Sequence, residues 1–256
     1  MEVINAFFSE IDFFLIVLFR LTGFMIISAF WGSKEIPSML KIAFSLILTF
    51  MIIMTGRLEG ATLPTSFAAF VIVCIIEILK GMLIGFISNI FFSAFVTTGQ
   101  IIDSMIGFRM GGILDPNFGV QMPQSARLLN IAAMVVFLQL NGHLHMIRAL
   151  TESFEKSPVG TLVSIESLMG IFTSAFSFAY LAAVRVAIPV ILIFLLTNVV
   201  LGIMIKFVPQ LNIFVVGIPL KIILGIYSFI FLVQPFIEYL DSFFGTMFNL
   251  ITNLFA

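Results

Sequence analysis

Long charge-free apolar stretches, separated by short polar breaks, dominate the chain. The four clearest stretches contain no Asp, Glu, Lys or Arg and cover residues 81–102, 128–147, 167–184 and 186–205. A helix needs about 20 apolar residues to cross the roughly 30 Å hydrocarbon core of a bilayer. Because each stretch is close to that length, the pattern predicts one membrane-type helix for each of them and an all-α fold.

Other apolar stretches are shorter or carry a charge. They cover residues 13–30, which include Arg20, residues 42–54, 60–76, 207–220 and 222–237, and an end piece from residue 242. Basic residues occur in nearly every polar break, so the excess of positive charge that usually marks one side of the membrane gives no orientation. We expect helices that do not simply cross a bilayer one after another.

Composition supports a membrane protein and excludes other classes. The chain is 61% hydrophobic and 10% charged, with a mean hydropathy of +1.22, whereas soluble domains are about 45–50% apolar and about 25% charged. The net charge of −1 lacks the basic excess of a nucleic-acid-binding protein. The single cysteine, Cys74, allows neither an internal disulfide nor a cysteine zinc cluster.

Catalytic patterns are absent from the sequence. It contains no GxSxG, HExxH or P-loop pattern. Its two histidines, His143 and His145, would lie about 200° apart around a helix, so one metal ion could not easily bind both. We expect neither an enzyme nor a metal or cofactor, and an intramembrane hydrolase is disfavoured because no nucleophile and base are paired.

Charged side chains within the apolar stretches need partners, because an isolated ion at bilayer depth costs a few kcal/mol or more. Glu77 and Lys80 are three residues apart on one helix face and can pair with each other. Arg20 and Arg185 have no acidic residue three or four positions away. Each therefore indicates either an ion pathway or a buried contact with another helix or subunit.

The segment 103–121, DSMIGFRMGGILDPNFGVQ, is neither polar enough for a free loop nor periodic enough for a helix. Gly107, Gly111, Gly112 and Gly119 loosen its backbone, and the residues from Asp115 to Asn117 are typical of a turn. Irregular backbone at membrane depth is tolerated where protein or a water-filled cavity satisfies it. The segment is either a re-entrant plug or a loop folded onto its own domain.

Several motifs occur together in one order along most of the chain. They are Arg20-Leu21-Thr22-Gly23-Phe24, Gly99-Gln100-Ile101-Ile102-Asp103, Asp115-Pro116, Asn141-Gly142-His143, Pro209-Gln210-Leu211-Asn212-Ile213-Phe214 and Gly217-Ile218-Pro219-Leu220-Lys221. In these motifs the chain resembles the FliR/SctT family of type III secretion export-gate subunits.

The resemblance implies a subunit that forms a helical, pore-containing assembly with FliP and FliQ, contacted by FlhB, with FlhA as a further candidate partner. It implies export of unfolded flagellar proteins through that pore, in the bacterial inner membrane at the flagellar basal body. Residues 1–160 would resemble FliP and residues 161–256 would resemble FliQ.

The resemblance also suggests site residues. The pore plug, about residues 106–121, would include Met105, Ile106, Gly107, Phe108, Arg109, Met110, Gly111, Gly112, Ile113, Leu114, Asp115, Pro116, Phe118 and Gly119. Assembly residues would be Pro209, Gln210, Asn212 and Lys221 from these motifs, together with the charges in the apolar stretches, Arg20, Glu77, Lys80 and Arg185. The rival interpretation is a small-solute or ion transporter that uses the intramembrane charges Arg20, Glu77, Lys80 and Arg185.

Overall fold

A computed structural model describes residues 2–54, 66–107, 123–208 and 213–255 of the chain. Within these ranges the secondary structure is helical, without strands, which confirms the predicted all-α fold. The seven helices described are α1 Glu2–Ile27, α2 Ser38–Met54, α3 Phe67–Ile106, α4 Gln124–Gln139, α5 Gly142–Lys156, α6 Ile165–Phe207 and α7 Ile213–Thr252.

Three helices are longer than the charge-free stretches that predicted them. α3 has 40 residues and continues through Glu77 and Lys80, whereas α6 has 43 residues and continues through Arg185. α7 likewise continues through Lys221. The prediction of separate helices on either side of these charges was wrong, because a charged side chain does not interrupt helical backbone if it finds a partner or solvent.

The stretch 128–147 was predicted as one helix and is instead broken. α4 ends at Gln139, α5 begins at Gly142, and the two helices are bent by 67°. Asn141 lies between them in the left-handed conformation, with φ of 54°. Asparagine adopts this conformation more readily than most residues, and it ends the helical path in spite of the apolar sequence around it.

The membrane character of the helices is confirmed. In the part of the chain that the structure describes, α3, α6 and residues Val215–Thr252 of α7 are long and apolar enough to cross a membrane. The bent pair of α4 and α5 adds a fourth span if it is counted as one. α2 is apolar but has only 17 residues, which corresponds to about 26 Å of helix.

The chain divides into two compact units. The first unit comprises residues 1–91, 141–176 and 244–256, and the second comprises residues 92–140 and 177–243. Aromatic side chains fill the core of the second unit, where the ring centroids of Phe95 and Phe243 are 5.0 Å apart and those of Phe92 and Phe137 are 5.4 Å apart. The predicted boundary between residues 160 and 161 separates a FliP-like part from a FliQ-like part. The two packing units do not test that prediction.

Candidate functional site

In the first unit, α1 and α3 touch through their backbones. A methyl group on Gly81 of α3 would overlap the carbonyl oxygen of Arg20 on α1, and one on Gly23 would overlap the carbonyl oxygen of Ile78. Small residues permit this close approach of membrane helices. The approach brings the side chains of Arg20, Glu77 and Lys80 to one place.

These three side chains form a single cluster, which we call the charged centre. Nε of Arg20 donates a hydrogen bond to Oε2 of Glu77, with which Arg20 forms an ion pair, and Nζ of Lys80 lies 3.0 Å from Oε1 of the same carboxylate. Arg20 and Glu77 are completely buried and Lys80 is 2% exposed. The predicted pairing of Glu77 with Lys80 is confirmed, and the partner that Arg20 requires is a carboxylate on another helix of the same chain.

The guanidinium of Arg20 has further partners at the end of α5. Its Nη1 donates to Oγ of Ser153 at 3.0 Å, and its Nη2 donates to the carbonyl oxygen of Ser157 at 3.0 Å. The Cζ atom lies 3.9 Å from the ring centroid of Phe154, which places the cation over an aromatic face. Arg20 therefore joins α1, α3 and α5.

Lys80 and Glu77 bind the turn that follows α5. The Nζ of Lys80 donates to the carbonyl oxygen of Pro158 at 2.9 Å and to Oγ1 of Thr161 at 3.3 Å. The backbone N–H of Gly160 donates to Oε1 of Glu77 at 3.1 Å. The charged centre thus holds the connection between α5 and α6 against α3.

The charged centre contains two cations and one carboxylate. Neutral oxygen atoms of Ser153, Ser157, Pro158 and Thr161 accept further hydrogen bonds from the two cations. Because buried cations require such acceptors, this turn is part of what makes the cluster stable. Sequence reasoning missed these residues because Ser153 lies 133 positions from Arg20 and carries no local signal.

The remaining predicted assembly residues lie elsewhere. Arg185 is exposed on α6 in the second unit, where it interacts with the hydroxyl of Tyr239. Lys221 is half-buried on α7. Pro209, Gln210 and Asn212 lie outside the described residues.

A second polar contact joins the two ends of the predicted pore loop, and we call it the loop clasp. The carboxylate of Asp103, near the end of α3, accepts a hydrogen bond from the Oγ of Ser125 at the start of α4. It also accepts the backbone N–H of Ser125, at 3.1 Å and 3.3 Å from its two oxygens. Asp103 is 1% exposed and Ser125 is 2% exposed. Sequence reasoning placed Asp103 in a motif but did not identify it as a site residue.

The first residues of the predicted plug lie at the end of α3. Met105 is half-buried, and Ile106 is buried against Gly225 of α7, where an added methyl group would lie 2.8 Å from its Cδ1. Gly107 leaves the helix with φ of 91°, a conformation that glycine adopts without strain. The other predicted plug residues fall outside the described residues: Phe108, Arg109, Met110, Gly111, Gly112, Ile113, Leu114, Asp115, Pro116, Phe118 and Gly119.

The two histidines make separate aromatic contacts in the first unit. The ring of His145 stacks on Phe248 with centroids 4.8 Å apart, and the ring of His143 lies 6.4 Å from that of Phe30. Among the described residues, no group of three or more His, Cys, Asp or Glu side chains could hold a metal ion.

Comparison with known proteins identifies the family of the chain. The sequence pattern of the family described as bacterial export proteins, family 1, matches residues 11–247. The chain is 29% identical over 242 residues to the flagellar biosynthetic protein FliR of Escherichia coli (strain K12), covering 93% of this chain and 91% of the relative. It is 30% identical over 227 residues to FliR of Pectobacterium carotovorum subsp. carotovorum, covering 88% and 85% respectively.

A further relative has a different name. The surface presentation of antigens protein SpaR of Shigella flexneri is 28% identical over 260 aligned positions, covering 99% of each chain. The family pattern, over residues 11–247, begins within α1 and ends within α7. Because the family pattern spans most of its length, this chain belongs to family 1 of the bacterial export proteins.

Proposed function

We propose that this chain is a subunit of the flagellar type III export gate, where it forms with FliP and FliQ the pore for unfolded flagellar proteins. The gate would lie in the bacterial inner membrane at the flagellar basal body, contacted by FlhB and FlhA. Relatives named FliR that align over most of this chain support the proposal. The role is mechanical, without catalysis by this chain.

The exposed apolar surface is the observation that most directly supports a role within an assembly. On α2 the side chains of Met39, Phe50 and Met54 are 81%, 57% and 69% exposed, and Phe231 on α7 is 87% exposed. Lipid covers such side chains along a helix that spans the bilayer, but α2 has only 17 residues. Neighbouring subunits are the better cover for α2.

Residues 106–121 would plug the closed pore. Methionine suits a deformable seal because its unbranched thioether adapts to irregular surroundings, and Met105 and Met110 lie at the start of the segment. Its glycines would let the segment move aside for an unfolded substrate. The burial of Ile106 against Gly225 gives the plug an anchored beginning.

The two parts of the chain would have different counterparts in the gate. Residues 1–160 would take a FliP-like place and residues 161–256 a FliQ-like place. The connection between α5 and α6 contains this boundary, and α6 and α7 follow it as two long helices. The charged centre would hold the two parts together, because it binds α1 and α3 to Pro158, Gly160 and Thr161.

Coexpression tests the proposed function. We expect the chain alone to aggregate, and coexpression with FliP-like and FliQ-like proteins to give a discrete complex with one copy of the chain, measured by native mass spectrometry. A well-behaved monomer that gains nothing from the partners would contradict the proposal. Solute uptake by vesicles containing the chain alone would favour the transporter instead, although Arg20 and Glu77 are buried and hydrogen-bonded to protein.

A further inference from the structure

Within the second unit, α6 and α7 run antiparallel to each other. The rings of Phe178 and Phe243 stack with centroids 5.7 Å apart. Further along α6, Cζ of Phe194 lies 3.6 Å from where a methyl group on Gly225 would stand. Residue numbers therefore rise along α6 as they fall along α7, and the two helices can be compared level by level.

Polar side chains cross both helices at one level. Arg185 lies near the middle of α6, is exposed, and interacts with the hydroxyl of Tyr239 on α7. Beside Tyr239, the side chains of Glu238 and Asp241 are exposed, and Oε1 of Glu238 accepts a hydrogen bond from Nε2 of Gln234 at 3.4 Å. We call these five residues the polar belt. Because exposed charge is costly at bilayer depth, the belt belongs near water or lipid head groups.

The part of α6 that follows the polar belt has the length of one membrane span. Residues 186–205 are 20 residues without a charge, followed by the exposed Lys206. Twenty helical residues measure about 30 Å, the thickness of the hydrocarbon core. On α7, residues 222–237 are also free of charge and follow Lys221, whose apolar stem can lie in hydrocarbon while its ammonium extends towards the head groups.

The side chains of residues 186–205 distinguish a protein side from a lipid side. Leu192 and Leu196 are more than half exposed, whereas the smaller Ala187 and Thr197 are buried. Helices that pack against each other in membranes place small residues at the contact. The small residues therefore mark the face that packs within the protein, and the exposed leucines form a bulky aliphatic face that suits lipid. Asn198, which is uncharged, is the exposed polar side chain of this section.

The part of α6 that precedes the polar belt has a different surface. Residues 167–184 are also free of charge, so length and charge alone do not say which half of α6 lies in hydrocarbon. Ser177 and Tyr180, however, expose hydroxyl-bearing side chains in the turns before Arg185. All 43 residues of α6 measure about 65 Å, which is roughly twice the hydrocarbon thickness, so one half must lie outside it.

We propose that residues 186–205 of α6, with residues 222–237 of α7, are the lipid-facing part of this helix pair, and that the polar belt lies at a membrane–water interface. Tyr239 and Arg185 then lie at head-group level, where aromatic and basic side chains anchor membrane helices. The part of α6 before Arg185 lies outside the hydrocarbon. This inference rests on the membrane location given under the proposed function, but not on the pore or its plug.

Spin labelling tests the position of the bilayer. Ser177→Cys, Leu196→Cys and Phe207→Cys are made one at a time on a Cys74→Ala background, with cysteine-free partners. Each gate is labelled with a nitroxide in vesicles of phosphatidylethanolamine and phosphatidylglycerol. Collisions with oxygen, which concentrates in hydrocarbon, and with a water-soluble nickel chelate are measured for each label. All three positions are exposed on α6, so the labels need not disturb the packing.

We expect the ratio of oxygen to nickel collisions to be several-fold higher at residue 196 than at residues 177 and 207. An equally high ratio at residue 177 would overturn the inference, because hydrocarbon would then extend past Arg185. Shielding of residue 196 from both reagents would also overturn it, because protein and not lipid would cover this face.

Native mass spectrometry of the same samples separates this inference from the proposed function. The expected ratios in a species without FliP-like and FliQ-like partners would support the lipid-facing section and contradict the export gate. An assembled gate with a uniform ratio along α6 would support the export gate and overturn the inference.

Discussion

Glu77 is the only carboxylate that faces the two buried cations of the charged centre among the contacts described. Its two oxygens accept from Arg20, Lys80 and the N–H of Gly160. A carboxylate in this position does two things, because it neutralises buried charge and fixes the turn after α5. Replacing Glu77 with glutamine would keep the size of the side chain and one acceptor oxygen but remove the negative charge. This substitution therefore isolates the contribution of the charge.

The first prediction is that Glu77→Gln strongly destabilises the protein. The substitution leaves Arg20 and Lys80 buried without a counter-charge, which typically costs about 3–5 kcal/mol. Thermal unfolding of the purified complex, together with its yield, measures the effect. Arg148→Ala is the control, because Arg148 pairs with Glu152 at an exposed site, where loss costs about 0–1 kcal/mol. Wild-type stability of Glu77→Gln would contradict the role assigned to the charged centre.

The second prediction concerns Arg20. Arg20→Ala should reduce the assembled complex, and Arg20→Lys should have an intermediate effect because it keeps the charge but loses the planar fork that reaches Glu77, Ser153 and Ser157 together. Native mass spectrometry of the coexpressed gate measures how much of each variant is assembled into the complex. Normal assembly of Arg20→Ala with an altered response to ions would instead favour the transporter interpretation.

At the scale of helices, α1 and α3 fit together because glycine stands where their backbones meet. The atoms closest to a new methyl group at Gly81 belong to the backbone of Arg20 and Phe24. A flexible side chain could move aside, but backbone atoms cannot move without displacing the whole helix.

The third prediction is that Gly81→Ala destabilises the protein by about 1–3 kcal/mol, as is usual for an overpacked contact. Gly170→Ala is the matched control, because it also lies on a helix of the first unit and has nothing within 4 Å of the added methyl group. Thermal unfolding of both variants in the purified complex tests the difference. Equal stability of the two variants would mean that α1 and α3 do not approach as closely as described.

The fourth prediction concerns the loop between α3 and α4. Deletion of residues 111–117 should leave the gate assembled but permeable to ions, because the clasp at Asp103 and Ser125 lies outside the deleted residues. Phe108→Ala and Met110→Ala should leak more than Asn117→Ala, since larger apolar side chains contribute more to a seal. The conductance of vesicles containing the purified gate measures the leakage of each variant. An impermeable deletion variant would contradict the proposal that this loop plugs the pore.

At the scale of the whole molecule, apolar side chains remain exposed on helices of very different length. α3, α6 and α7 have 40, 43 and 40 residues and can extend across a bilayer, whereas α2 has 17. Its polar side chains Ser45 and Thr49 are buried inside the protein, while Ile47 and Met51 are 58% and 57% exposed. The outward face of α2 is therefore apolar.

The fifth prediction follows from this outward face. A photoreactive side chain in place of Met51 should capture a neighbouring subunit in the assembled gate, because protein covers α2 better than lipid does. The same group in place of Ile165, which is 79% exposed at the start of α6, provides a comparison site outside α2. Capture of lipid alone at residue 51 would show that α2 lies in the bilayer without a protein neighbour.

The sequence by itself determined the helical class, the membrane character and the motifs shared with an export family. These properties follow from residues close together in the chain, because hydropathy over about 20 residues decides whether a helix can face lipid. The same reasoning recognised that Arg20 needs a partner and that Glu77 and Lys80 can pair. It could not tell whether Arg20 bonds within the chain or to another subunit.

Only the tertiary structure decided which side chains meet. Arg20 finds Glu77 at a separation of 57 positions and Asp103 finds Ser125 at a separation of 22, and such separations leave no periodic signal in the sequence. Helix ends also depended on the fold. Lys80 lies inside α3 because Glu77, Pro158 and Thr161 satisfy its charge. The apolar stretch around Asn141, by contrast, is broken at one residue in the left-handed conformation. Local hydropathy cannot distinguish these cases, because the stability of a buried charge is set by the groups that the fold brings to it.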